Sequence, residues 1–592
     1  MGYFDLGTWS RKVTTDNPEA QLWFDRGLNW LYGFNHEEAI ICFEKALQFD
    51  VDCLMAHWGI AHCIGPNYNK LWEFFSPEEK VAALDRAHLS LKQAAAVADR
   101  ATPAEHAILM ALAARFPTDP AIEDYGPWND AFADEMRKIH AAFPTDLDVT
   151  ALFAEALMNR TPWKLWDLRA RGPAEGASTV EAQAALERAF ANDPAAWDHP
   201  GLLHMYIHLM EMSPTPEKAL RHGDRLVDLV PDSGHLGHMA THIDVLCGDC
   251  QNVIWCNVRA VAVDRKYFDH AGGENFYTIY RIHNLHFVIY GAMFLARPTT
   301  ALAAAAALRE TLPEQVVRFM PEFFEAFIGM KFHVLVRFGR WQEILDERLP
   351  TDPALYLNTM ALLHYARAVA LANLARLDEA RAERDAFATA QRAVPDDWMM
   401  FNNPCSAVLL VAEQMMLGEL AYKSGQTEAG LEHLRAAVRL DDGMPYDEPW
   451  GWMQPARHAL GALLMDAGQY AEAEVVYRAD LGLDQTLPRP CQHPRNVWSL
   501  HGLDECLRRR DETVERRHIG LQLDQAMARA EVPIRSSCYC RSKKLPRTAD
   551  PATINRVEPL TRSTWKVADA GMLSPARGNC LPTPPIEALC LT

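Results

Sequence analysis

Two pairs of histidines with the same internal spacing carry the strongest chemical signal in this chain. His204 and His208 lie in "HPGLLHMYIHLMEM" (199–212), and His238 and His242 lie in "HLGHMATHID" (235–244). An i, i+4 pair puts both imidazoles on one face of a helix. Both members recur after 34 residues. His235, His283 and His286 extend the set to seven. Imidazole clustered in this way suits copper, zinc, iron or nickel and disfavours magnesium or calcium. Without a metal, such a cluster would resist protonation and leave ring nitrogens unsatisfied. Glu211, one turn beyond His208, is a candidate ligand, imidazole orienter or general base. Asp198 and Asp244 are weaker candidates to orient an imidazole, and His199 falls at the start of its helix.

The elements that position these residues follow from the interval. A period near 34 is that of a helix–turn–helix repeat, the tetratricopeptide unit, which stacks into an α-solenoid. With Ala20 as position 1 of a first unit, Trp23, Gly27, Trp30, Ala39, Phe43 and Ala46 occupy the packing positions of such a hairpin. Phased in the same way, His204 and His208 fall at positions 5 and 9, and His235, His238 and His242 at 2, 5 and 9. His283 and His286 fall at 2 and 5 of a third unit. This face lines the concave groove of a solenoid, and neighbouring helices about 8–10 Å apart let their imidazoles share an ion. Tyr280 is a candidate catalytic tyrosine. Glu155, Asn159, Tyr206 and Tyr290 are candidates for the substrate wall, and Tyr277 flanks the cluster. His57, His62, His333 and His458, scattered through other units, read as structural.

Composition agrees. Hydrophobic residues make up 49% and charged residues 23% of 592, as in ordinary globular protein, and alanine and leucine dominate over alternating β-branched residues. A net charge of −20 argues against nucleic acid and against an anionic membrane surface. No secretory signal pattern opens the chain, no run of eighteen apolar residues suggests a span, and Gly2 is a weak match to an acylation motif. Thirteen cysteines without regular spacing suggest free thiols in a reducing compartment, hence the cytoplasm. The lone CxxC, Cys247 to Cys250, reads as turn thiols. The expected organisation is a helical solenoid over 1–535, with its histidine-rich centre at 199–290, and a disordered tail over 536–592. That tail holds seven prolines and eight basic against four acidic residues.

The stretches "FDRGLNWLYGFNHEEAI", "MAHWGIAHCIGPNYN", "HPGLLHMYIHLMEMSP", "GHLGHMATHI" and "HNLHF" resemble a group of histidine-rich tetratricopeptide-repeat proteins of bacteria and fungi, over roughly 1–530. The resemblance implies the all-α superhelical fold and carries no reaction with it. The residues themselves point to a metal-dependent oxidoreductase acting on a small organic molecule, with copper favoured and iron next. A zinc-dependent hydrolase or lyase, and a non-catalytic scaffold binding a protein partner, are the rival readings.

Overall fold

A computed structural model describes residues 2–541. The chain is a succession of helical hairpins from Pro18–Tyr32 with His36–Phe49 to Val497–Arg509 with Thr513–Met527. Two short two-stranded ladders, at 166–173 and 399–404, interrupt it. This is an all-α, tetratricopeptide-type solenoid.

The local cause is a repeated pairing of small and large residues. A Cβ at Gly27 or at Gly59 would lie 2.6 Å from the Phe43 ring, so two glycines from successive hairpins grip one phenylalanine. The same device recurs at the other end, where a Cβ at Gly461 or Gly502 would lie 2.5 or 2.2 Å from Tyr477. Phe43 and Tyr477 are fully buried, and the missing side chains let neighbouring helices close to van der Waals distance. The turns also repeat. A residue with left-handed backbone joins the two helices at Phe34, Gly248, Ala296, Gly339, Ala375, Gly425, Gly468 and Asp511, with φ between 55° and 84°. A non-glycine residue in that region costs roughly 1–2 kcal/mol, so Phe34 is held there by what surrounds its ring.

The solenoid closes over its own inner face. The N-terminal segment runs extended along the first hairpins: Arg11 makes a bidentate pair with Asp146 (2.7 and 2.9 Å), and Asp232 N donates to the Asp5 carbonyl. From the other end, Trp498 Nε1 donates to the Met293 carbonyl at 2.8 Å and Arg489 to the Leu246 carbonyl at 2.8 Å. The connection 446–454 enters the interior, where Met453 Sδ lies 2.8 Å from His286 Nε2. The expected open groove is therefore filled by the chain itself.

One further expectation changes. The packed chain continues past residue 535: Ser537 bonds the Tyr477 hydroxyl (2.6 Å) and donates to the His458 carbonyl (2.9 Å), and Arg541 makes a bidentate pair with Glu505. Residues 542–592 of the expected tail lie outside the described residues. A membrane span is not among the changes: the helix Cys405–Lys423 is long and apolar enough by length and composition, but Glu413, Gln414 and Glu419 interrupt its apolar residues and 56% of its apolar window is buried. A core helix meets the same test.

Candidate metal centre

Three helical segments carry the histidines. The first is Pro200–Glu211, started by His199, whose Nδ1 accepts from Leu202 N at 3.2 Å. The second is Gly234–His238, continued as Ala240–Cys247. The third is Thr278–Phe294. They bring six imidazoles into one buried chain of rings. His204, His208 and His235 form one triad, and His238, His242 and His283 another, with donor atoms in each within 4.8 Å of one another. His208 and His242 also share such a group with Glu211. The triads adjoin, with ring centroids of His208 and His242 5.6 Å apart and those of His235 and His238 5.9 Å apart.

Hydrogen bonds to the outward nitrogens fix the direction of the inward ones. His204 Nδ1 donates to the Tyr32 carbonyl at 2.7 Å. His238 Nδ1 faces Asn257 Oδ1 at 2.8 Å, and that amide is oriented by its own Nδ2, which donates to Thr241 Oγ1 and the Val253 carbonyl. Glu211 accepts from His208 Nδ1 at 3.1 Å with one oxygen and from His242 Nδ1 at 2.8 Å with the other. Each of these rings then carries its proton on Nδ1 and a lone pair on Nε2. Yet His238 Nε2 and His242 Nε2 lie 2.6 Å apart, His204 Nε2 and His235 Nε2 3.2 Å, and His242 Nε2 and His283 Nε2 3.4 Å. His208 Nε2 is buried without a partner. At His238 and His242 both Nε2 atoms thus face each other as lone pairs, which repel in a dry interior unless a cation stands between them. The Nδ1 atoms of His235 and His283, by contrast, are buried without a partner, and their Nε2 atoms lie within hydrogen-bond distance of His204 and His242. Outward nitrogens on carbonyl, amide or carboxylate, with inward nitrogens converging, is the pattern of imidazole metal ligands.

Burial favours the neutral form of five of the six rings. It pushes His204 down to about 3, with the nearby His242 contributing. It holds His208, His235, His238 and His283 well below the ordinary histidine value, with the neighbouring imidazoles adding to the effect. Neutral imidazole is the form that ligates a metal. An aromatic wall excludes water: Phe34 lies 4.5 Å from His204, Tyr68 4.9 Å from His208, and Phe287 5.0 Å from His238. Phe34 is the residue whose backbone sits in the left-handed region, and its ring also stacks on His208 and His235.

Sequence reasoning missed Glu448. It lies in "YDEPWGW", an acidic pair set among aromatics in a connection between helices, and that odd composition is its only signal. Its side chain is 3% exposed and contacts His242 Nδ1 beside Glu211, and Tyr446 donates to its other oxygen at 2.7 Å. Burial, then the adjacent Glu448 charge, raises Glu211 well above the usual carboxylate range. A multivalent cation at the imidazoles would offset that effect and favour the ionised form of Glu211. Two buried acids against a neutral imidazole wall thus fit the same donor set.

Other expected members separate from the centre. His286 turns to Met453, Phe327 and Phe401, because it lies one turn beyond His283, past the convergence point. Tyr206, two residues from both His204 and His208, points to the opposite side of its helix, where it donates to Glu187 at 3.0 Å and packs on His222 at 4.1 Å. Tyr290 is buried against Phe294 (4.5 Å), two turns beyond His283 and outside the triads. Glu155 and Asn159 join a second polar group: Glu155 pairs with His62 at 3.3 Å and Arg115 at 3.5 Å, and accepts from Asn159 at 3.2 Å. His62, read as structural, is thus the partner of a candidate substrate residue. Tyr280 does reach the centre, its ring 4.1 Å from His235, while His235 N donates to the Tyr277 hydroxyl at 3.2 Å. His199 Nε2 pairs with Asp148, Asp198 with Arg225, and Asp244 accepts from Asn252, so none of these three joins the triads.

No family model matches the chain, and no curated protein matches it. Solved structures do. A monomeric mutant of IFIT1 with m7Gppp-AAAA is 11% identical, over 80% of this chain and 90% of that one, with a TM-score of 0.32. The APC/C hetero-tetramer Cut9–Hcn1 is 12% identical over 87% and 96%, with a TM-score of 0.25. The P58(IPK) TPR domain is 11% identical over 84% and 99%, with a TM-score of 0.19. At such values the likeness carries no argument, and the fold rests on the hairpins described above.

Proposed function

We propose that this protein is a metal-dependent oxidoreductase that oxidises a small organic molecule, with copper favoured and iron next. The observation that carries the reading is the convergence of two adjoining imidazole triads, with Nε2 of His238 and Nε2 of His242 facing each other at 2.6 Å. His204, His208 and His235 would hold one ion, and His238, His242 and His283 a second. A redox metal bound there would supply electron transfer to and from O₂. The chain's own part is to orient the rings through Tyr32, Asn257, Glu211 and Glu448, and to keep water out with Phe34, Tyr68 and Phe287. Glu211 spends both oxygens on imidazole Nδ1 atoms, which favours an orienting role over that of a general base. Tyr280 is the hydroxyl best placed beside His235 to move a proton. Burial of the centre favours small reactants, and the free thiols fit a reducing compartment, the cytoplasm.

Zinc in the same donors would give a hydrolase or lyase instead, by acidifying bound water. A protein-binding scaffold would have to use another surface, because the inner face is filled by 446–454. The test is elemental analysis of full-length protein loaded with copper, iron or zinc, followed by O₂ uptake with small organic reductants. Stoichiometric copper or iron with O₂ consumption is expected. Tight zinc with no O₂ uptake supports the hydrolytic reading. Absence of stoichiometric metal under every loading overturns both and leaves the scaffold.

A further inference from the structure

A different set of donors meets where the packed chain ends. Cys538, Cys540 and Glu419 present donor atoms within 4.8 Å of one another. Glu419 projects from the helix Cys405–Lys423 and the two thiols from the segment that follows the last hairpin. Cys540 and Glu419 are buried, 0% and 1% exposed, while Cys538 is half-buried. The segment is held on both sides of the thiols. Ser537 bonds Tyr477 and the His458 carbonyl, Arg541 pairs with Glu505, and Lys423 donates to the Cys540 carbonyl. Cys540 N donates to Cys538 Sγ at 3.2 Å, and Asn373 donates to Glu419 Oε2 at 2.8 Å.

We propose that Cys538, Cys540 and Glu419 form a second metal site, for a thiophilic divalent ion such as zinc, that staples residues 536–541 to the solenoid. Two sulfurs exclude magnesium and calcium, and with one carboxylate they suit zinc. Ligands on tetrahedral zinc with bonds of about 2.3 Å stand about 3.8 Å apart, so the three donors need to close by only about 1 Å. Cys538 is only half-buried, which gives an ion a path from solvent. Bound to an ion as thiolates, the two cysteines would bring charge that Lys423, which donates to the Cys540 carbonyl, offsets only in part. A divalent ion supplies the remainder. None of these residues belongs to the imidazole centre.

The experiment uses reduced full-length protein and cobalt(II) as a spectroscopic probe for zinc. Thiolate-to-cobalt charge transfer gives a near-ultraviolet band that imidazole ligands do not produce, so this test is independent of the histidine centre. The band is expected in the unmutated protein and should disappear in the Cys538→Ser, Cys540→Ser double variant. Zinc should raise the melting temperature of the unmutated protein through this site, with a smaller rise in the variant. No thiolate band at any loading, or a band of equal strength in the variant, overturns the proposal. Should the double variant fail to fold, zinc protection of the native thiols from iodoacetamide, read by peptide mass, decides the matter. Strong protection of Cys538, the half-buried thiol, is expected, and its equal labelling with and without zinc overturns the proposal.

Discussion

Histidines gather in two regions of this molecule, and they are satisfied in opposite ways. Near the C-terminus, His458 Nε2 and His493 Nδ1 both donate to Asp480, at 2.9 and 2.8 Å. Asn496 and Ser499 donate to the same carboxylate, and Arg337 lies 2.8 Å from His458 Nδ1. Each inward nitrogen there ends on an acid, so the group is complete as protein. In the centre the acids sit on the outward nitrogens and the inward ones face each other. The same residue type is a structural brace in one place and an open donor set in the other, and the side of the ring that meets the carboxylate decides which.

The contrast is broken most sharply by His242→Ala. His242 belongs to the second triad and also to the group with His208 and Glu211. Its removal should lower metal affinity by more than the roughly 10–100-fold expected for Glu211→Gln, which disturbs only orientation. Metal per chain after dialysis against a mild chelator checks the order, and a reversed order would make Glu211 a ligand.

Asp480→Ala should act in the other direction. It strands two imidazoles, an amide and a hydroxyl in the interior, at a cost of about 3–5 kcal/mol, while metal content stays at the unmutated level. Denaturant unfolding beside elemental analysis separates the two regions. Loss of metal without loss of stability would show that the brace belongs to the centre.

Acid should sharpen the difference between folded and unfolded chains. Burial lowers His286 to about 3 and His333 to about 4, and neither belongs to a triad. Both are neutral in folded and unfolded chains well above the ordinary histidine value of about 6.5. As pH falls below it, the unfolded chain binds protons that the folded chain refuses until it reaches those lowered values. Stability is therefore complete above about pH 6.5 and lost on acidification, by about 1.4 kcal/mol per pH unit for each histidine. Thermal unfolding of metal-free protein should show this slope between about pH 6.5 and pH 4. A melting temperature flat across that interval would mean that these rings are hydrated.

The hairpin and its histidine face were legible because both depend on local periodicity. Gly27 with Phe43, and His204 with His208, are set by spacing along one helix or one repeat. What could not be read depends on chain closure. Glu448 comes from more than two hundred residues beyond His242, and nothing in a helical period reports that a connection folds back into the groove. His286 failed for a related reason: repeat position placed it on the right face, but Met453 arrives from the same late segment to occupy that face. Cys538 and Cys540 were assigned to a tail by composition, which does not register that the short segment 536–541 packs.

The smallest effect tests the phasing itself. Tyr206 lies between His204 and His208, and a two-residue offset on a helix rotates a side chain by about 200°. It therefore belongs to the packing layer, where its hydroxyl bonds Glu187 and its ring meets Phe190 and His222. Tyr206→Phe keeps that packing and removes one hydrogen bond to an exposed acid, at a cost of about 0.5 kcal/mol, the low end for a hydrogen bond. Metal content and any turnover should match the unmutated protein, with only a slight fall in melting temperature. If turnover drops while metal is retained, Tyr206 faces the substrate after all. The helix Pro200–Glu211 would then have to be rotated, and the triads that depend on its register would fall with it.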